Sequence, residues 1–177
     1  MTAIAKGMNE EEIKEAAAYF SAIKPKPVYT VAETQTVPKT FVARVFVAKS
    51  PGNETEALGQ RIVDVPVDID QFEHRDPRSK FIAYVQPGSI AKGEVLVKTG
   101  GSGTTVACAS CHGSDLKGLG AVPAIAGRSP SYVVRQLYDI QQGTRAGALS
   151  VLMKPTVEKL TGEDMNAIAA YLATQQP

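Results

Sequence analysis

Long apolar runs are missing from this chain of 177 residues. The longest, such as Phe41 to Ala48, fall far short of the ~20 residues a membrane-crossing helix needs, so no transmembrane segment is expected. Excess charge of either sign is missing too. Nineteen basic and 18 acidic side chains leave a net charge of +1, which points away from nucleic acid and anionic membranes and toward protein or small-molecule partners. No charged stretch followed by an apolar one opens the chain, so any secretory signal is expected to have been removed. Cysteine is scarce: both copies lie in Cys108-Ala109-Ser110-Cys111-His112, which rules out a disulfide framework and concentrates attention on one place. The 44% of hydrophobic residues suffices for a real core.

Three stretches differ in pattern. Asn9 reads as an N-cap for a helix to Phe20, with Glu10, Glu11 and Glu12 at the positive end of its dipole and Ile13, Ala16, Ala17 and Phe20 on one face; Pro25 and Pro27 stop it. From Val28 to Val85 β-branched and aromatic runs alternate with turn residues. Phe41 to Val47, Val63 to Ile69 and Phe81 to Val85 are the expected strands, and Pro66 marks the second as an edge. From Ser89 the chain turns helical: Ile90 to Lys98 with Ser89 as cap, a helix from Ser129-Pro130 to about Gln141, and a last one from about Gly162 to Thr174. The expected divisions are 1–27, 28–87 and 88–177.

One internal repeat is visible. A shift of 152 positions lays Met1 on Met153, Met8 on Leu160, Ile13 on Met165, Ala17 on Ala169, Tyr19 on Tyr171 and Phe20 on Leu172 without a gap, so that the two apolar faces coincide.

Two cysteines separated by two residues and followed by histidine is the spacing of c-type haem attachment. The thiols reach the two vinyl groups along one edge of the porphyrin, and the adjacent imidazole turns under the ring to the iron. A redox dithiol would need a βαβ setting and zinc would need four ligands; both remain alternatives. For the opposite face of the iron Met153 is the candidate, because Met8 and Met165 fall on helical apolar patterns, whereas Lys154-Pro155 suggests an extended loop presenting a thioether. Asp64, Asp68 and Asp70 also raise calcium, although strand alternation accounts for two of them.

In order, Cys108 to Gly113, Val122-Pro123-Ala124-Ile125-Ala126-Gly127, Met153-Lys154-Pro155 and Asp164 to Tyr171 resemble a class I cytochrome c, close to the tandem, two-haem periplasmic cytochromes of bacteria. The resemblance covers Ser89 to the C-terminus well and Met1 to Pro25 partly. It implies a mainly α fold, with the class I cytochrome c arrangement in the C-terminal half preceded by a β-rich segment and an N-terminal helix. It implies one covalent haem c with iron between His112 and Met153, the Pro123 carbonyl holding the other nitrogen of His112, and Gly93 letting the first and last helices cross closely. Arg128, Tyr132 and Arg145 are the expected donors to the haem propionates. The function implied is single-electron transfer between redox proteins in the periplasm, not catalysis. The alternatives are a relay domain of a larger oxidoreductase and a haem enzyme with an open sixth iron position. If Met1 stands for Met153 of an upstream domain, the chain carries one haem and an orphaned helix 9–20, covered by the β segment, by the haem domain or in a homodimer. Residues 28–87 read as a linking or docking segment.

Overall fold

The computed structural model describes residues 2–43 and 46–177. Met1, and with it the pairing of Met1 with Met153, lies outside the described residues, as do Arg44 and Val45 of the expected strand Phe41 to Val47.

Two helices open the chain, α1 (Thr2–Gly7) and α2 (Glu10–Ala22). Asn9 begins α2 with a capping box: its side chain accepts from the Glu12 N–H, and the Glu12 carboxylate accepts from the Asn9 N–H. Met8 falls in the break between the helices and not on a helical face, because Asn9 takes an extended conformation there.

The middle segment is built from β1 (Tyr29–Glu33), β2 (Thr36–Pro38), β3 (Thr40–Ala43), β4 (Phe46–Lys49), β5 (Thr55–Ala57), β6 (Val63–Pro66), the short helix α3 (Ile69–Glu73) and β7 (Phe81–Val85). β7 lies between a parallel β1 and an antiparallel β6, while β2 pairs with β5 and β3 with β4. Val63 and Val65 are buried and Pro66 sits at the end of an edge strand, where its missing N–H costs no ladder bond. The strand expected to reach Ile69 stops at Pro66. Asp68 instead accepts from the Gln71 N–H and starts α3, so side-chain capping ends the extended run.

The rest is helical: α4 (Ser89–Thr99), the single turn α5 (Ala109–His112), α6 (Pro130–Gln141), a 3₁₀ turn (Ser150–Met153), α7 (Lys154–Val157) and α8 (Gly162–Thr174). Ser129 caps α6 and Pro130 occupies its first turn, as the sequence reads. Ser89 is not a cap. Gly88, at φ +84°, holds that position, and the Ile90 N–H is satisfied by the Glu33 carboxylate of β1 at 2.9 Å. A partner remote in sequence replaces the local hydroxyl.

The core lies around α8, which packs against α4, α6, β1 and β7. Leu96, Val97, Leu137, Val157, Ile168 and Leu172 are among its buried members. At Gly93 the α4 backbone meets α8 so closely that a Cβ there would lie 2.6 Å from the Ala167 carbonyl carbon and 2.8 Å from the Tyr171 Cβ. The β-rich segment rests directly on this helical half. Besides the sheet contacts with α8, the Asp64 carboxylate accepts from the Ser131 hydroxyl at 2.7 Å and the Asn166 side chain donates to the Gln60 carbonyl at 3.2 Å.

Candidate functional site

A left-handed Gly100 ends α4, and a tight turn through Gly101–Gly103 leads the chain back toward the core. The Thr105 hydroxyl donates to the Thr156 carbonyl at 2.6 Å, fastening this turn to the segment that follows Met153. The next residues wind into one helical turn in which the Cys111 and His112 N–H groups both donate to the Cys108 carbonyl, at 3.2 and 2.9 Å. Helical spacing of three sets the two sulfurs side by side on one flank. His112 follows immediately and is buried, with 7% of its surface exposed.

The His112 ring is held. Its Nδ1 lies 2.7 Å from the Pro123 carbonyl, which can only accept, so Nδ1 carries the proton and Nε2 keeps its lone pair for a metal. A compact loop delivers that carbonyl. The Gly118 N–H donates to the His112 carbonyl at 2.8 Å, and Leu119 and Val122 exchange a pair of bonds at 3.0 Å. Gly118 stands at φ +90°, and a Cβ there would meet the Val122 oxygen at 2.6 Å and the Ala124 nitrogen at 2.8 Å, so no other residue fits without displacing the loop. The loop is anchored by Ile125 and Ala126 N–H donation to the Leu116 carbonyl and by Gly127 N–H donation to the Leu172 carbonyl of α8.

Both cysteines are free thiols. Burial pushes the Cys108 thiol up to about 11, and its neighbour Cys111 adds to the shift. A reactive dithiol or a zinc thiolate needs the opposite perturbation. Among the described residues no three His, Cys, Asp or Glu side chains gather as a metal cluster, which also disposes of the aspartates considered for calcium: Asp64 receives Ser131 and Asp68 caps α3. The donor set therefore fits a porphyrin. Two adjacent sulfurs suit thioether bonds, and the oriented imidazole suits an axial bond.

Met153 is not in an extended loop. It ends the 3₁₀ turn at φ −83°, and Lys154 and Pro155 continue directly into α7, because a proline in a first helical turn gives up no hydrogen bond. The residue is half-buried and packs on the same core cluster as Cys108. The Gln141 amide at the end of α6 donates to the Val157 and Leu160 carbonyls at 2.7 and 2.8 Å and so fixes the chain just beyond it. Met165 belongs to the core at 2% exposure.

The expected propionate donors are dispersed. Arg128 donates from Nε to the Ala124 carbonyl at 3.2 Å, beside Pro123. Tyr132 lies in the first turn of α6 with the Arg135 guanidinium 5.7 Å from its ring centre. Arg145 is exposed, its backbone N–H tied to the Asp139 carbonyl. Three residues that build the site escaped the sequence reading: Gly118, Thr105 and Gln141. Only Gly118 left a signal, a glycine six positions after His112 in a loop of further glycines.

Residues 90–172 match the family model described as cytochrome c oxidase, cbb3-type, subunit III. The cytochrome subunit of sulfide dehydrogenase of Chlorobaculum tepidum is 33% identical over 87 residues, 49% of this chain and 69% of that protein. Cytochrome c-554(548) of Halomonas halodenitrificans is 33% identical over 90 residues, 50% of this chain and 99% of that protein. The solved cytochrome c4 of Acidithiobacillus ferrooxidans is 31% identical with a TM-score of 0.44, over 49% of each chain. This chain thus spans about half the length of that solved structure.

Proposed function

Because the chain belongs to the class I cytochrome c family and is an electron-transfer haem protein related to tandem cytochromes such as cytochrome c4, we propose that Cys108 and Cys111 bind one haem c by thioether bonds and that His112 and Met153 are its axial ligands. The haem supplies a one-electron couple. The chain's own residues set the terms. The Pro123 carbonyl accepts a hydrogen bond from the His112 Nδ1–H at 2.7 Å, which fixes the imidazole and strengthens Nε2 as a donor. The Met153 thioether, a soft ligand, favours the reduced metal and raises the potential. With both axial positions filled, neither substrate nor oxygen has a place to bind, and electron exchange is what remains.

The buried His112 with its hydrogen-bonded Nδ1 carries this reading. Lys117, Arg128, Arg135 and Arg145 outnumber Asp115 and Asp139 between the two ligands, which supports a mildly basic face toward an acidic redox partner. No helix among the described residues is long and apolar enough to cross a membrane. The periplasm is the proposed location, because covalent haem is attached after export.

Absorption spectra of the matured protein test the proposal. Expected are a reduced c-type spectrum, a sulfur-to-iron charge-transfer band when oxidised, and no carbon monoxide binding without denaturant. Ready binding would place Met153 off the iron and favour an enzyme. A second reading, a relay domain within a larger oxidoreductase, is favoured by the name of the Chlorobaculum relative, a subunit of a dehydrogenase. Stable co-purification with a catalytic subunit separates it from a free shuttle.

A further inference from the structure

Met153 is the residue from which α7 starts, and α7 cannot hold itself in place. It is one turn, Lys154–Val157, with far too few hydrogen bonds of its own to persist. The carbonyls at the end of a helix point away from its ladder and need outside donors. Among the described residues no backbone N–H reaches the Thr156 oxygen. Two side chains from other elements take over. The Thr105 hydroxyl donates to the Thr156 carbonyl at 2.6 Å, and the Gln141 amide donates to the Val157 and Leu160 carbonyls at 2.7 and 2.8 Å.

Both grips come from rigid ground. Thr105 closes the turn that begins at the left-handed Gly100: its N–H donates to the Gly100 carbonyl at 3.0 Å, and a Cβ on Gly100 would collide with the Thr105 carbonyl. Gln141 ends α6, whose Val133, Leu137 and Ile140 are buried. The two bonds to Gln141 and the one to Thr105 therefore fix α7 against the core from separate directions, around the fully buried Val157.

Their placement along the chain matters as much. Thr105 stands three residues before Cys108, and Thr156 stands three after Met153. One hydrogen bond thus ties the chain entering the thioether turn to the chain leaving the methionine, across the site.

We propose that Thr105 and Gln141 are positioning residues for the methionine ligand, holding α7, and through it the Met153 thioether, against the haem iron. This rests on ligation of the iron by Met153 and deepens it, because it assigns the firmness of the sulfur-to-iron bond to side chains outside the methionine's own loop. Neither residue touches the iron. Each acts by limiting how often α7 moves away from it. An outside ligand that competes with Met153 binds in proportion to the fraction of molecules whose thioether is displaced. One hydrogen bond is worth a factor of roughly 3–10 in that fraction.

The test titrates the haem-loaded, oxidised protein with imidazole and reads displacement of Met153 as loss of the sulfur-to-iron band. Thr105→Val keeps the shape and removes the donor, and Gln141→Met removes the amide. Each is expected to retain the band without imidazole and to lower the imidazole concentration at half displacement roughly 3- to 10-fold. Thr105→Ser restores the hydroxyl and should return the titration to that of the parent. Thr34→Val is the control: it removes a hydroxyl that donates to the Thr36 carbonyl at 2.9 Å in the β-rich segment, and it should leave the titration unchanged. Parental imidazole affinity in either Thr105→Val or Gln141→Met overturns the inference. So does an equal gain in Thr34→Val, which would trace the effect to general loss of stability. A parent protein with no sulfur-to-iron band overturns ligation by Met153 itself, a failure told apart from both.

Discussion

Gly93→Ala adds one methyl group where two backbones cross. The new carbon would lie 2.6 Å from the Ala167 carbonyl carbon, at least about 0.8 Å inside the 3.4 Å at which ordinary contact begins. No rotamer relieves it, because the obstruction is main chain, so α4 and α8 must part. A gap of ~0.5–1 Å forfeits a quarter to a half of each dispersion well along the seam, and overpacking of this kind costs about 3 kcal/mol. Alanine returns roughly 1 kcal/mol of helix propensity, leaving a net loss of about 2 kcal/mol. For a chain of 177 residues that is a fall in Tm of roughly 4–8 °C. Gly162→Ala is the matched control, since nothing lies within 4 Å of its added carbon, and its Tm is expected to stay within ~2 °C of the parent. Thermal melts of the haem-loaded protein, followed by far-ultraviolet circular dichroism and Soret absorbance, give both numbers. Ala167→Gly should fail to rescue Gly93→Ala. A Gly93→Ala protein melting within ~3 °C of the parent would refute the close crossing.

Three other perturbations probe separate links. Met153→Ala should abolish the sulfur-to-iron band, admit carbon monoxide to the reduced protein and lower the midpoint potential by on the order of 0.1–0.3 V, part of the range axial ligands command; spectroscopy and potentiometry read all three. Gly118→Ala strains a residue at φ +90° and pushes away the loop carrying Pro123. The expected loss is about 3 kcal/mol, with the signal of the His112 Nδ1 proton lost from its hydrogen-bonded position by NMR. The half-buried Asp64 and the buried Asp164 should answer pH in opposite directions. Burial raises Asp64 despite the hydrogen bonds from Ser131 and Ser129, so its ionised form costs stability at neutral pH and the cost fades as pH falls through its raised value toward 3.8; Asp64→Asn should stabilise at pH 7 and not at pH 4. For Asp164 burial also acts upward, but the bonds from Thr161 and Lys92 outweigh it and the net shift is down. Its stabilisation is present above the ordinary carboxylate range and is lost as pH falls through the lowered value, so Asp164→Asn should cost most at pH 7 and progressively less on acidification below that range in urea titrations.

What could be read from the sequence was local. Asn9, Ser129 and Pro130 announce helix starts because capping involves residues three apart, and the spacing of Cys108, Cys111 and His112 states its chemistry within five positions. Errors arose where a distant partner decided the outcome. Ser89 loses the cap because Glu33, from another element, reaches the Ile90 N–H. The parallel pairing of Tyr29 with Phe81, across 52 positions, left no trace in either strand's own pattern. Lys154-Pro155 suggested extension, yet Gln141 and Thr105 clamp the following carbonyls and helical packing prevails. The need for glycine at 118 is not legible in the sequence, because it lies in the Val122 and Ala124 backbone atoms around that position.

The segment bearing Met153 is fastened unevenly. Beyond the methionine Gln141 and Thr105 grip it from two sides, whereas from Ala146 to Leu152 the described backbone bonds are short-range, such as Ser150 to Gly147 and Leu152 to Leu149. It is a shutter with its hinge on one edge. Strain on the Met153 side chain would be taken up by a handful of mostly exposed residues, while the surrounding helices stay intact.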